Sequence, residues 1–100
     1  MVVYNQFRIL ISKDTISKKD LLNLIRQHTK IIDERSDGIK VKYKAGRLNP
    51  FIEWDIYIND QEYYFEVIME NPSKPLTIYN YLTLFAGRKL LETIESSVNK

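Results

Sequence analysis

The chain has no cysteine, and its 100 residues include only three glycines, three prolines, two alanines and one histidine. Without cysteine it has neither disulfides nor thiolate chemistry, which suits a reducing compartment. A lone histidine has no second histidine or cysteine with which to share a metal, and it supports no Ser-His-Asp arrangement. The glycines are too scattered to form a phosphate-binding loop. We therefore expect no catalytic residue, no metal and no cofactor.

Long hydrophobic runs are also missing. No apolar stretch approaches the roughly 20 residues that a membrane-spanning helix needs. The N-terminal segment MVVYNQFRILISKD lacks the basic region and the small-residue cleavage site of a signal peptide. With 44% hydrophobic and 28% charged residues, the chain has the balance of one ordinary folded domain. The sequence predicts a single cytoplasmic domain over residues 1–100, without a membrane partner.

The first two elements are a strand and a helix. Residues 2–12 predict a strand, and the unbroken Ile9-Leu10-Ile11 indicates an interior position with both faces covered. Residues 18–33 predict an amphipathic helix with Ser17 as its N-cap. His28 has the spacing of the apolar stripe of this helix, so we expect it in the core or at its boundary.

Apolar and polar residues then alternate in three segments, residues 39–44, 51–59 and 62–70, which is typical of strands with one buried and one solvated face. Two prolines follow, and residues 76–97 predict a final helix. The predicted order is β-α-β-β-β-α. The fold class is α+β, with a four-stranded, mostly antiparallel sheet and two helices on one face.

Residues 18–97 are similar in element order to a double-stranded-RNA-binding domain. That family carries a lysine cluster at the start of its last helix. This chain has Leu76-Thr77-Ile78-Tyr79-Asn80 at that place, preceded by Lys74 alone. Because the motif is missing, the element order by itself assigns no family.

Charge is distributed unevenly along the chain. Residues 1–50 carry 11 basic and 5 acidic side chains, a net charge of +6, whereas residues 51–100 carry 4 basic and 8 acidic ones, a net charge of −4. One interpretation is a nucleic-acid-binding face. Its candidate residues are Arg8, Lys40, Lys42, Lys44 and Arg47. The other interpretation is a solvated ladder of opposite charges, in which the lysines share a sheet face with Glu53 and Asp55.

A further alternative uses the acidic residues between positions 53 and 70, where six acids occur without a base. Glu53, Asp55 and Glu66 would then hold a divalent metal for a small hydrolase. Nuclease cores of this type generally add a lysine two residues after an acid. Here Ile68 follows Glu66 and Asp55 follows Glu53, so the lysine is missing.

The first half of the last helix is apolar almost all round, whereas a helix packed on a sheet by one stripe has a polar back. Either this half of the helix is sandwiched within its own domain, or it forms an interface with another copy or a partner. Full burial is harder to arrange in a two-layer fold with one helix pair, so we expect the interface. Its candidate residues are Tyr79, Tyr81, Leu82 and Phe85. The sequence favours a non-enzymatic binding protein of the inhibitor, accessory or immunity type, with a protein partner and a homodimeric state.

Overall fold

The computed structural model describes residues 5–71 and 77–98, and the side chains of all these residues except 77–79. Over these ranges the elements are β1 (Asn5–Ser12), α1 (Lys18–His28), β2 (Lys30–Arg35), β3 (Gly38–Tyr43), β4 (Ile52–Asp60), β5 (Tyr64–Asn71) and α2 (Thr77–Val98). The strands form one antiparallel sheet in the order β1-β5-β4-β3-β2. Side chains of both helices join the same buried cluster on one face of the sheet. The predicted α+β class is confirmed.

The sheet has five strands among the described residues, not the four that we predicted, because the first helix is shorter than its periodicity suggests. The helix begins as expected, since Ser17 Oγ accepts a hydrogen bond from Asp20 N at 3.1 Å. It ends at His28, and Thr29 is extended, with φ −135° and ψ 166°. Residues 30–35 then pair with β3 around a two-residue turn. This pairing satisfies the backbone hydrogen bonds of residues 30–35 and also those on the outer edge of β3. A longer helix would leave that edge of β3 unpaired.

The additional strand also changes two other expectations. The helix is followed by four strands, so the element order departs from the α-β-β-β-α order of a double-stranded-RNA-binding domain. His28 lies in the last turn of α1 and is exposed, so the expectation of a core or boundary histidine was wrong.

β1 lies at one edge of the sheet, so the predicted interior position was wrong. Ile9 and Ile11 are buried in the core, whereas Leu10 between them points to the other face and is 64% exposed. An apolar run of three residues therefore resulted from ordinary alternation plus one exposed leucine. The beginning of the predicted strand, residues 2–4, lies outside the described residues.

The predicted alternation of apolar and polar residues is confirmed in β3, β4 and β5. The buried side chains of these strands are Ile39, Val41, Tyr43, Ile52, Trp54, Ile56, Phe65, Val67 and Met69. From α1, Leu21 and Ile25 complete the core above this face. The polar residues between the buried ones form the opposite face, which no helix of the described chain covers.

Three contacts position α2 along the sheet. Near its start, Asn80 Oδ1 accepts a hydrogen bond from Asn5 Nδ2 at 3.2 Å. In its middle, Gly87 lies against the rings of Phe7 and Trp54. Near its end, Thr93 is hydrogen-bonded to Tyr43. The helix therefore starts beside Asn5 of β1, and its later turns lie over β4 and reach β3. Neither α1 nor the described length of α2 is long and apolar enough to cross a membrane.

Candidate interaction surfaces

Three large apolar side chains of α2 are exposed to solvent. Tyr81 is 73%, Leu84 39% and Phe85 52% exposed. They lie three and four residues apart, so they share one side of the helix. The opposite side buries Thr83, Ala86, Leu90, Ile94 and Val98. We call Tyr81, Leu84 and Phe85 the α2 strip. A helix that packs on a sheet by one stripe is expected to be polar on its far side, and this strip departs from that pattern.

The structure separates the four residues that the sequence placed in an interface. Tyr81 and Phe85 belong to the α2 strip. Leu82 is half-buried and packs against the core instead. The side chain of Tyr79 lies outside the described residues. Leu84 was missing from the predicted set, although its spacing of three residues from Tyr81 is the signal that would have included it.

The outer face of the sheet places the lysines of β3 opposite acids of β4. Lys40 pairs in register with Asp55, and Lys42 with Glu53. This is the arrangement that we expected if the two strands paired. Within the described part of the chain, however, neither lysine forms a direct ion pair. The acids beside them reduce the local positive potential that a nucleic acid would meet.

The carboxylate of Asp55 is bound by Arg35 of β2 rather than by Lys40. Arg35 Nη2 donates to Asp55 Oδ1 at 2.7 Å, and this hydrogen bond raises the pKa of Arg35. The guanidinium carbon also lies 5.9 Å from the centroid of the Tyr57 ring. Burial and the nearby Asp55 charge raise the pKa of Tyr57, and Arg35 partly opposes this shift. This contact therefore links β2 to β4 across β3 on the outer face.

The remaining basic residues do not join the lysines in one patch. Arg8 is on β1, with β5 and β4 between it and β3, and it forms an ion pair with Glu66 at 3.4 Å. Lys44 lies 5.5 Å from the ring centroid of Phe51. Arg47 is exposed in the loop between β3 and β4. The nucleic-acid interpretation stays a prediction, without a continuous basic surface to support it.

The three acids of the hydrolase interpretation are not brought together either. Asp55 pairs in register with Glu70, whereas Glu66 pairs with Asn59, four residues further along β4. Four residues of a strand span about 13 Å. Across residues 5–71 and 80–98, no group of three or more acidic or histidine side chains is close enough to share a metal ion. The arrangement does not favour metal-dependent chemistry.

A groove of about 620 Å³ lies between α1 and the β2–β3 hairpin. Its floor is apolar and includes Leu22, Ile39 and Ile58. Arg26 of α1 and Glu34 of β2 line it and form an ion pair at 2.5 Å. The charges around the groove have both signs, so they do not indicate one class of ligand.

Comparison of the chain with protein families, with curated proteins and with solved structures finds no match. We therefore infer a function from the surfaces of the molecule alone.

Proposed function

We propose that this chain is a non-enzymatic interaction protein, of the inhibitor, accessory or immunity type, that self-associates and binds through the α2 strip. The observation that carries the proposal is the exposure of Tyr81 and Phe85 on one side of a helix whose opposite side completes the core. Aromatic side chains are the residues most enriched at the energetic centres of interfaces, because they bury a large rigid area.

The strip is a consequence of how α2 packs. Thr83, Ala86 and Leu90 already bury one side of the helix against the sheet. Turning the helix to cover the strip would expose those residues instead. Within the described residues the strip therefore stays exposed, and a partner surface would remove it from water.

Sedimentation velocity over a concentration series tests the proposal. We expect the wild-type chain to form a concentration-dependent dimer. The double variant Tyr81→Ser/Phe85→Ser is expected to dissociate, since truncating a central aromatic anchor costs about 2 kcal/mol or more. Both side chains are exposed, so the helix content measured by circular dichroism should change little.

Ile32→Ser is the matched control, because Ile32 is also an exposed apolar residue but lies on β2, at the far edge of the sheet. This variant should associate like the wild type. A wild-type chain that remains monomeric at every concentration would refute the proposal, and so would a double variant that associates as tightly as the wild type.

A further inference from the structure

β1 presents an unpaired backbone edge. Lys13 N, just beyond the strand, donates to Tyr63 O of the β4–β5 loop at 3.0 Å. Because backbone groups alternate in direction along an antiparallel strand, odd-numbered residues of β1 bond toward β5 and even-numbered ones point away. Gln6, Arg8 and Leu10 therefore direct N–H and C=O groups outward. The N–H of Ser12 also points outward, while its carbonyl oxygen accepts a hydrogen bond from Thr15 N at 3.0 Å. Among the described residues no strand pairs with them.

The two edges of the sheet differ in how they are protected. β2 contains a bulge between Ile31 and Asp33, and four of its six residues are charged. Bulges and charges are the usual means by which an edge avoids pairing with another chain. β1 has no bulge, since it pairs with β5 in unbroken register over eight residues, and it carries a single charge, Arg8.

We infer that β1 pairs antiparallel with β1 of a second copy, which joins the two five-stranded sheets into one of ten strands. The inference rests on the proposed function, because it specifies how the self-association occurs. The two-fold axis passes through Ile9, so Arg8 lies opposite Leu10 of the second copy, and Gln6 lies opposite Ser12. This register uses all four outward-facing residues.

The two adjacent two-fold registers are worse. An axis through Arg8 would place the two Arg8 side chains directly opposite each other, and like charges in that position are destabilising. An axis through Leu10 would place Gln6 opposite Asp14, which lies beyond the end of the strand. The axis through Ile9 avoids both problems.

Charge complementarity supports the same register. Leu10 lies opposite Glu66 on β5. When Arg8 lies opposite Leu10 of the second copy, it is aligned across the sheet with the Leu10–Glu66 pair of that copy. Arg8 already binds its own Glu66 at 3.4 Å. Each Arg8 would thus lie between two carboxylates, and its aliphatic stem would cover the exposed Leu10.

The second helix continues this surface. A groove of about 460 Å³ runs beside the β1 edge, and Glu95 and Val98 of α2 line it. Leu84 and Arg88 precede Glu95 by about three and two helical turns, so they share its side of the helix. The α2 helices of the two copies would be antiparallel, which brings Arg88 of one toward Glu95 of the other. Leu84 then belongs to both the α2 strip and this interface.

Disulfide cross-linking tests the register, since the chain has no cysteine of its own. We would mix a chain carrying Arg8→Cys with a chain carrying Leu10→Cys under mild oxidation. Residues directly opposite have Cα atoms about 5.5 Å apart, within disulfide reach. Each variant alone offers only a diagonal pair at roughly 7–8 Å. We expect a covalent dimer from the mixture and little from either variant alone.

Ile32→Cys mixed with Leu10→Cys is the control and should not cross-link, because Ile32 lies on the opposite edge. The second test is the variant Leu10→Pro. It removes an N–H that points away from β5 and leaves the hydrogen bonds between β1 and β5 intact, so the fold should survive. We expect it to raise the dimer dissociation constant at least about tenfold in sedimentation.

The outcomes distinguish this inference from the proposed function. If the wild type dimerises but the mixture does not cross-link selectively, or Leu10→Pro dimerises unchanged, the β1 pairing is wrong while self-association through the α2 strip stands. If the wild type is monomeric at all concentrations, both fail. Selective cross-linking of the mixture together with a weakened Leu10→Pro dimer supports the pairing.

Discussion

Gly87 of α2 lies directly against the indole of Trp54 on β4. A Cβ atom at position 87 would lie 2.6 Å from Trp54 Cζ2 and 2.5 Å from Phe7 Cε2. The helix backbone reaches the two rings only because this residue has no side chain. The same close approach brings Phe7 and Trp54 together beneath the helix, with ring centroids 5.7 Å apart.

Gly87→Ala should therefore destabilise the protein. In an unobstructed helix interior the change would add about 1 kcal/mol of stability. Here the methyl group overlaps the buried ring of Trp54 and the half-buried ring of Phe7, and overpacking costs roughly 1–3 kcal/mol. Urea denaturation followed by the fluorescence of Trp54, the only tryptophan, measures the change. Ser96→Ala, at an exposed site of the same helix, should be neutral or slightly stabilising. A Gly87→Ala variant as stable as the wild type would contradict the packing described here.

Gly38→Ala should also reduce the free energy of unfolding. Its Cβ would lie 2.6 Å from the carbonyl oxygen of Ile56 and 2.8 Å from Tyr57 Cδ1. Since a backbone atom cannot move aside cheaply, β3 and β4 must separate, and we expect a loss of about 1–3 kcal/mol. Gly46→Ala is the control, because its nearest neighbour is the flexible Asn49 side chain at 3.3 Å. Equal midpoints for the two variants in a urea titration would show that Gly38 is not needed for close approach.

Stability should fall at alkaline pH through Tyr43. Burial raises the pKa of this phenol above its usual value of about 10, its hydrogen bond with Thr93 partly opposes the shift, and the charge of Glu92 adds to it. A pKa that is higher in the folded state gives stability that is complete below about pH 10 and is lost as the pH rises through the folded pKa. Urea midpoints between about pH 9 and 12 should decline less steeply in Tyr43→Phe than in the wild type. Tyr81→Phe, at an exposed tyrosine, is the matched control and should follow the wild-type curve.

Ser17→Ala should weaken the start of α1. Ser17 Oγ accepts the bond from Asp20 N, and removing an N-cap of this type costs about 1 kcal/mol. The thermal midpoint measures the loss. Ser17→Asp keeps an acceptor at the same place and should retain most of the stability. Equal thermal midpoints for the alanine and aspartate variants would show that the cap contributes nothing to stability.

Local features were the most predictable from the sequence. The cap at Ser17 and the alternation from Ile39 to Met69 depend on residues close together in the chain, and both were found as predicted. The sequence also assigned Tyr81 and Phe85 to an interface, because an apolar excess on a helix is visible without knowing its partners, and this stays a prediction. Leu82 was assigned to the same surface, but its direction depends on which side of α2 meets the sheet.

Long-range pairing decided the rest. Ile32 lies seven residues after Ile25 and matches a helical period, yet its segment became β2 because the edge of β3 was available to pair with it. Ile9-Leu10-Ile11 is the same in an interior and in an edge strand, and only the sheet order placed it at the edge. Asp55 forms its ion pair with Arg35 instead of Lys40, because the bulged β2 places the Arg35 guanidinium beside that carboxylate.

The sequence by itself determined which residues alternate, where α1 begins and that the first half of α2 is rich in apolar residues, since these follow from neighbours along the chain. The tertiary structure alone decided the number of strands, the identity of the open edge and the ion pairs of the outer face. These three features depend on contacts between segments far apart in sequence. The free energies of such contacts cannot be read from a local sequence pattern.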